Sequence, residues 1–451
     1  MRTFRLLFVV LCGLLCCESA LAQNHHSRKH HKTDDSAVYL MAIEGVDNQG
    51  NTVAEIVEMN YIASRGARDD FEATRRYGAK QVPNPQFIFS THDNRFSLGI
   101  GGFVNLRTSY DFKGAVNNID FVPYDIAVGG NPLSRQRVMM DATTSRLFTK
   151  AVVNSSKLGQ IVAFVDMDFR GGAEFSYTPR LRSAYISMMG FTAGRDYTTF
   201  CDLEATPITV DFQGPNAYNQ SFATLLRYEH AFFEKRLQVG LAAEFPTVSG
   251  TYGEYFLPIS QRVPDIPMYV QYRWGRSGRN HVRASAVLRN MYLHNSFTKE
   301  NTSLFGWGVQ LSGHLEPWRC LTLYFNGTYG KGISGYIQDL NGSGLDFTPN
   351  PENPQQIQTM PMWGWQVAAQ YNVFPGKMFV SGGYSMVRVD KQNGFYSAEQ
   401  YKQGDYIFVN TFYQLTDNCK LALEYLHGSR KDMSDEKGTA NRLSVMVQYN
   451  F

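Results

Sequence analysis

The sequence predicts an all-β fold, a sixteen-stranded antiparallel transmembrane β-barrel with one long loop folded inward. Three observations predict it. From residue 96 to the end, sixteen segments alternate apolar and polar side chains with period two, as strands do between lipid and a wet lumen. The links between these segments are alternately short and long, which suits a barrel crossing a membrane and has no cause in a soluble sandwich. The 451-residue chain has a mean hydropathy of only −0.30, and after its N-terminus no apolar run reaches the length of a membrane helix.

The N-terminus reads as a secretory signal over residues 1–22. Arg2 and Arg5 precede the apolar run Leu6–Cys17, and Ala20-Leu21-Ala22 gives a small-x-small pattern before Gln23. The Cys16-Cys17 doublet raises a lipoprotein alternative, disfavoured because the residue before each cysteine is large or thiol-bearing. Residues 23–90 read as a periplasmic segment. His25, His26, His30 and His31 lie in a polar leader better read as an exposed tail than as a metal site. Thr52–Met59 could form a short helix, and Arg65–Gly78 is mixed in charge; neither indicates a role.

Composition excludes one class. With 43 Lys+Arg against 40 Asp+Glu the chain lacks the basic excess of a nucleic-acid binder. Cys201, Cys320 and Cys419 are odd in number and widely spaced, so they form no disulfide framework or metal motif. No cofactor is expected.

Residues 91–451 form the barrel domain. In the first strand Phe96, Leu98, Ile100, Gly102, Val104, Leu106 and Tyr110 share one parity; Ser97, Gly99, Asn105, Arg107 and Ser109 share the other. The same signature gives strands near 137–153, 159–169, 177–189, 191–200, 222–231, 236–246, 267–274, 281–294, 304–315, 320–332, 361–373, 378–389, 405–415, 420–428 and 441–451. Links such as Asn154–Leu158, Gly190, Glu316–Arg319 and Phe374–Lys377 are short. Lys113–Gln136, Cys201–Ser221, Thr247–Ile266, Ile333–Met360, Asp390–Gly404 and Ser429–Ala440 are long. The last strand alternates Leu443, Val445, Val447 and Tyr449 with polar residues and ends on Phe451, similar to the C-terminal signal of Gram-negative outer-membrane proteins.

The Cys201–Ser221 loop is long enough to be functional or disordered, and its Ile208, Val210, Phe212 and Tyr218 disfavour disorder. It is expected to fold inward and narrow the lumen, carrying Asp202, Glu204 and Asp211. If the apolar parity faces lipid, Arg107, Arg146, Lys150, Arg180, Arg182, Arg195 and Arg227 point into the lumen and face that loop. Such a transverse field would orient solutes and select among them with only weak binding. The plainer reading is a solvated inner wall, but seven basic residues on neighbouring strands exceed an even mixture. With Arg195 inward, Thr192, Gly194, Asp196 and Thr198 would face outward, costly against lipid and better covered by another subunit.

The stretches FSLGIGGFVNLRTSYDF, LRSAYISMMGFTAGRDYTTFCD and TPITVDFQGPN resemble the trimeric outer-membrane porins, most closely the DcaP-like porins. The resemblance implies sixteen strands, a homotrimer in outer-membrane lipid, a loop in each pore, and uptake of small anions such as dicarboxylates. Its N-terminal coiled coil has no clear heptads here. A barrel enzyme is disfavoured, since no G-x-S-x-G, H-E-x-x-H or P-loop occurs and His230, His281, His314 and His427 are scattered as pore or girdle residues. A structural or adhesive barrel, with 333–360 as its feature, is the alternative.

Overall fold

The structure is a computed structural model and describes residues 38–41, 65–78, 81–91, 93–116, 119–129, 135–174, 176–275 and 278–451. The expected signal peptide, the histidine-bearing leader and the Thr52–Met59 helix lie outside the described residues.

Sixteen strands close a barrel. They are β1 (Phe96–Lys113), β2 (Arg137–Asp141 and Arg146–Ser155), β3 (Gly159–Asp168), β4 (Arg180–Met188), β5 (Phe191–Tyr197), β6 (Phe222–Phe232), β7 (Leu237–Glu244) and β8 (Ile266–Trp274). The second half is β9 (Asn280–Asn295), β10 (Glu300–Trp318), β11 (Leu321–Lys331), β12 (Pro361–Phe374), β13 (Met378–Val389), β14 (Tyr401–Gln414), β15 (Cys419–Asp432) and β16 (Lys437–Asn450). Each pairs antiparallel with the next, and β16 pairs with β1, Leu443 opposite Tyr110 and Asn450 opposite Phe103. Closure leaves no open edge in lipid, where an unpaired backbone group would be costly.

The period-two pattern sets the two faces. On β1, Val104 and Leu106 are 55% and 41% exposed, whereas the alternating Asn105 and Arg107 are 6% and 7% exposed. Val165, Ile186, Leu226, Leu241, Val270, Val309, Val367, Val409 and Val445 continue the outward apolar face around the barrel. At the short-turn end, Met189 and Gly190 form a two-residue turn with φ of 52° and 84°. Such left-handed pairs match the twist of a hairpin.

Two strand pairs run further than expected. Only residues 296–299 link β9 to β10, and 433–436 link β15 to β16, so most of the expected Ser429–Ala440 loop is strand. Beyond the lipid both faces meet water or loops, so the alternation fades while the backbone ladder continues.

The lumen is more apolar than a wet wall. Phe200 and Ala217 of the 198–221 loop pack with Ile333, Ile337 and Leu340 of the 332–360 loop against Val287 and Val387 of the wall. Val116, Phe121 and Ile126, after β1, pack on Tyr406, Phe408 and Leu426. At the opposite end residues 65–73 are helical, with Ala67 and Phe71 buried. A short strand, Phe87–Ser90, pairs with β1 (Phe87 opposite Ile100) below the point where β16 ends.

Candidate functional site

The 198–221 loop crosses the lumen and is tied to inward residues of the far wall. Its backbone N–H groups at Val210 and Asp211 donate to Glu424 of β15 (2.9 and 2.7 Å), and that of Ala217 donates to Ser385 of β13 (2.9 Å). Its carbonyls at Ala205, Ile208 and Ala217 accept from Gln366, Asn410 and Asn326. These backbone groups of the loop thereby find partners in the wall.

The three loop carboxylates are anchors. Asp202 accepts from Ser312 Oγ (2.6 Å) and lies 2.9 Å from His281 Nε2. Burial pushes its pKa up, but the neighbouring His281 and Arg283 and the hydrogen bonds more than offset this, holding it below the ordinary carboxylate range. Glu204 pairs bidentately with Arg273 of β8. Asp211 accepts from the Phe121 backbone N–H (3.1 Å) and the Tyr406 hydroxyl (2.9 Å).

The basic residues do not form a bare wall. Arg107 pairs with Asp141 (2.6 Å) and Asp120 (3.3 Å), and Arg146 with Asp166. Arg180 and Arg182 share Asp168 (2.6 and 2.8 Å), and Arg227 bridges Asp196 (2.8 Å) and Glu229 (3.1 Å). Lys150 donates to the carbonyls of Thr74 (2.9 Å) and Phe71 (3.4 Å).

Two expectations are corrected. Arg195 shares the exposed parity of β5 with Phe191 and Ala193, while Thr192 and Asp196 are buried inward, so it is not a lumen residue and the outward polar face proposed for β5 does not exist. Both parities of β5 carry polar side chains, and the inward Asp196 is the partner Arg227 requires. Nor do Asp202 and Glu204 face the basic residues across a gap; Asp211 alone of the three shares a narrow space with one of them, Arg107. Buried charges are stable only when paired, and both sets take nearer partners. On β3 the alternation also marks Asp166 and Asp168 as inward, and counting only the cations missed them; Asp141 and Asp196, which the parity of Arg146 and Arg195 would place outward, are buried inward.

Among the described residues a cavity of about 250 Å³ lies between the loop and the β14–β16, β1 and β2 wall. Its charged lining among the described residues is Arg75, Arg76, Arg107, Arg146 and Lys420, with no carboxylate. Ile208, Val210, Phe212, Phe412 and Met446 supply the apolar part. Among the described residues Lys420 has no hydrogen-bond or ion-pair partner. Above it a narrower space of about 10 Å³ is lined by Arg107, Asp141, Asp211 and Arg442; Arg442 pairs with Asp111 (2.6 Å). Lys420 and Arg442 sit on the inward parity of β15 and β16, where the sequence reading placed Glu424 inward, with Glu244, against Arg273, Arg283 and Arg289, and singled out neither cation.

Comparison with known proteins agrees with this architecture. Residues 87–276 match the family model described as DcaP outer membrane protein. Among curated proteins none matches. The outer membrane channel DcaP of Acinetobacter baumannii is similar in structure, with a TM-score of 0.68, 18% identity, and 79% of this chain and 97% of that chain covered. OmpF of Salmonella typhi, solved with daunomycin, has a TM-score of 0.52 at 15% identity, covering 80% and 99%. The anion-selective porin of Comamonas acidovorans has 0.51 at 13%, covering 79% and 100%. At these identities the solved structures show a shared fold. The family match over 87–276 spans β1 to β8 with the lumen-crossing loop, and with the shared fold it makes the chain similar to porin-like channels of the bacterial outer membrane.

Proposed function

We propose that the protein is a porin that admits small hydrophilic solutes and prefers anions, dicarboxylates among them. The observation that carries this is the cavity lining, five cations and no carboxylate, one of them without a partner. Paired arginines present little net charge, so the preference is assigned chiefly to Lys420. In a lumen whose effective dielectric is below that of water, a fixed charge acts strongly on a passing ion. The 198–221 loop is the constriction, since the open space falls from about 250 Å³ to about 10 Å³ where Val210 and Asp211 approach Arg107.

A catalytic role finds no support at the buried cluster of Asp202, His281 and Ser312. Ser312 donates to Asp202 and not to His281, so no base is placed on the hydroxyl. A homotrimer belongs to the proposal. Arg195 on the outer parity of β5 supports it, because an arginine facing lipid near the midplane costs about 2–4 kcal/mol and another subunit would cover it.

Liposome swelling tests the channel reading. Proteoliposomes should swell in small sugars and in small dicarboxylates; no swelling in either would favour a structural or adhesive barrel.

A further inference from the structure

The part of the chain that precedes the barrel does not simply lead up to it. The 65–73 helix sits at the short-turn end, where Asp70 accepts from Asn154 (2.6 Å) and Gln160 (3.0 Å), and inward Lys150 holds its last carbonyls. The following residues then enter the lumen. Arg76 pairs with Asp196 of β5 and lies 4.4 Å over the ring of Tyr185 of β4, both inward residues. Val82 packs on Phe148, Phe164 and Tyr185. Gly78 meets the constriction loop itself: its φ is +133°, and a Cβ there would lie 2.5 Å from the Leu203 carbonyl oxygen. Glycine is required on both counts.

We propose that this segment is a plug that obstructs the channel from the side opposite the long loops, latched by Arg76 on Asp196. The floor of the 250 Å³ cavity is Arg75, Arg76, Tyr77 and Gly78, so a solute leaving the constriction meets them next. The latch is a polar pair, which can part without the cost of exposing a hydrophobic core. Asp196 also keeps Arg227 at 2.8 Å, so it retains a cationic partner when Arg76 leaves. The contact is therefore built to release without disturbing the strands that carry it.

The inference rests on the channel reading and concerns its regulation. Two variants of the full chain test it in planar bilayers: Arg76→Gln, and replacement of residues 75–78 by Gly-Ser-Gly-Ser. Retained resistance to SDS until heating confirms the barrel in each. Trypsin should cut the detergent-solubilised native protein slowly after Arg75 and the Arg76→Gln protein quickly. Single-channel conductance or open occupancy should rise in Arg76→Gln and rise further in the replacement. Equal conductance in all three, or a gain in the replacement alone, overturns the latched plug. A native protein and variants that all fail to conduct would instead fail the channel reading.

Discussion

Replacing Lys420 by Gln should weaken anion preference by an amount the cavity geometry sets. Lys420 is the informative position because it lacks a partner; removing Arg107 or Arg182 would leave Asp141 or Asp168 short of its counter-charge. A cavity of about 250 Å³ has the volume of a sphere about 4 Å in radius, so an ion at its centre lies on the order of 6 Å from the ammonium nitrogen. At an effective dielectric of about 40, between protein-surface and bulk values, the Coulomb term is about 1.4 kcal/mol. A Debye length of about 10 Å at 0.1 M salt lowers it to about 0.8 kcal/mol, roughly fourfold for each ion, in favour of the anion and against the cation. At 1 M, with a length of about 3 Å, about 0.2 kcal/mol remains, less than about twofold. The assay is reversal potential across a planar bilayer under a KCl gradient, for native and Lys420→Gln protein at both salt levels. The anion-to-cation permeability ratio combines attraction of one ion with repulsion of the other, so it should fall on the order of fifteenfold near 0.1 M and about twofold near 1 M. An unchanged ratio at low salt, or the same change at both, refutes the reasoning.

Three further outcomes follow from the fold. On intact cells a surface protease should nick within 350–356 or 391–399, where Glu352 and Lys391 are exposed, and spare the turns at 319–320 and 375–377; cleavage at those turns reverses the orientation. Burial raises the pKa of Asp339, and the Tyr401 hydroxyl, Tyr124 N–H and Asn216 offset this only in part, leaving it at about 6. The docked 332–360 loop holds that proton more tightly than a released loop, so docking is strongest below about pH 4 and weakens as pH rises through about 6, by on the order of 3 kcal/mol. Protease cleavage of the loop should therefore be faster at pH 7.5 than at pH 5 in native protein and lose that extra dependence in Asp339→Asn; equal pH ratios in both contradict it. In mild detergent the protein should have the mass of a trimer that survives until heated, and a monomer with full conductance would remove the trimer.

The strands were legible in the sequence because lipid and lumen impose opposite demands on alternate residues, as Val104 and Asn105 display. Strand ends were less so, since residues 429–432 and 437–440 lie where neither face meets lipid. At β5 the pattern misled, because Arg195 and Asp196 compete for the inward position and only the location of Arg227 decides. Loop charges were visible as charges but not as anchors: the side-chain partners His281 and Ser312 of Asp202 and Tyr406 of Asp211, on β9, β10 and β14, lie some 80 to 200 positions further along the chain. The lumen-entering segment was hidden for a related reason. Residues 74–86 have no periodicity, and their contacts with Tyr185, Asp196 and Leu203 exist only once the barrel has closed.

The most direct measurement of the central claim is the sign of the native reversal potential under a KCl gradient at low ionic strength. A cavity lined by five cations and no carboxylate predicts a potential on the chloride side of zero. A potential on the potassium side would contradict the anion preference, whatever the variants then show.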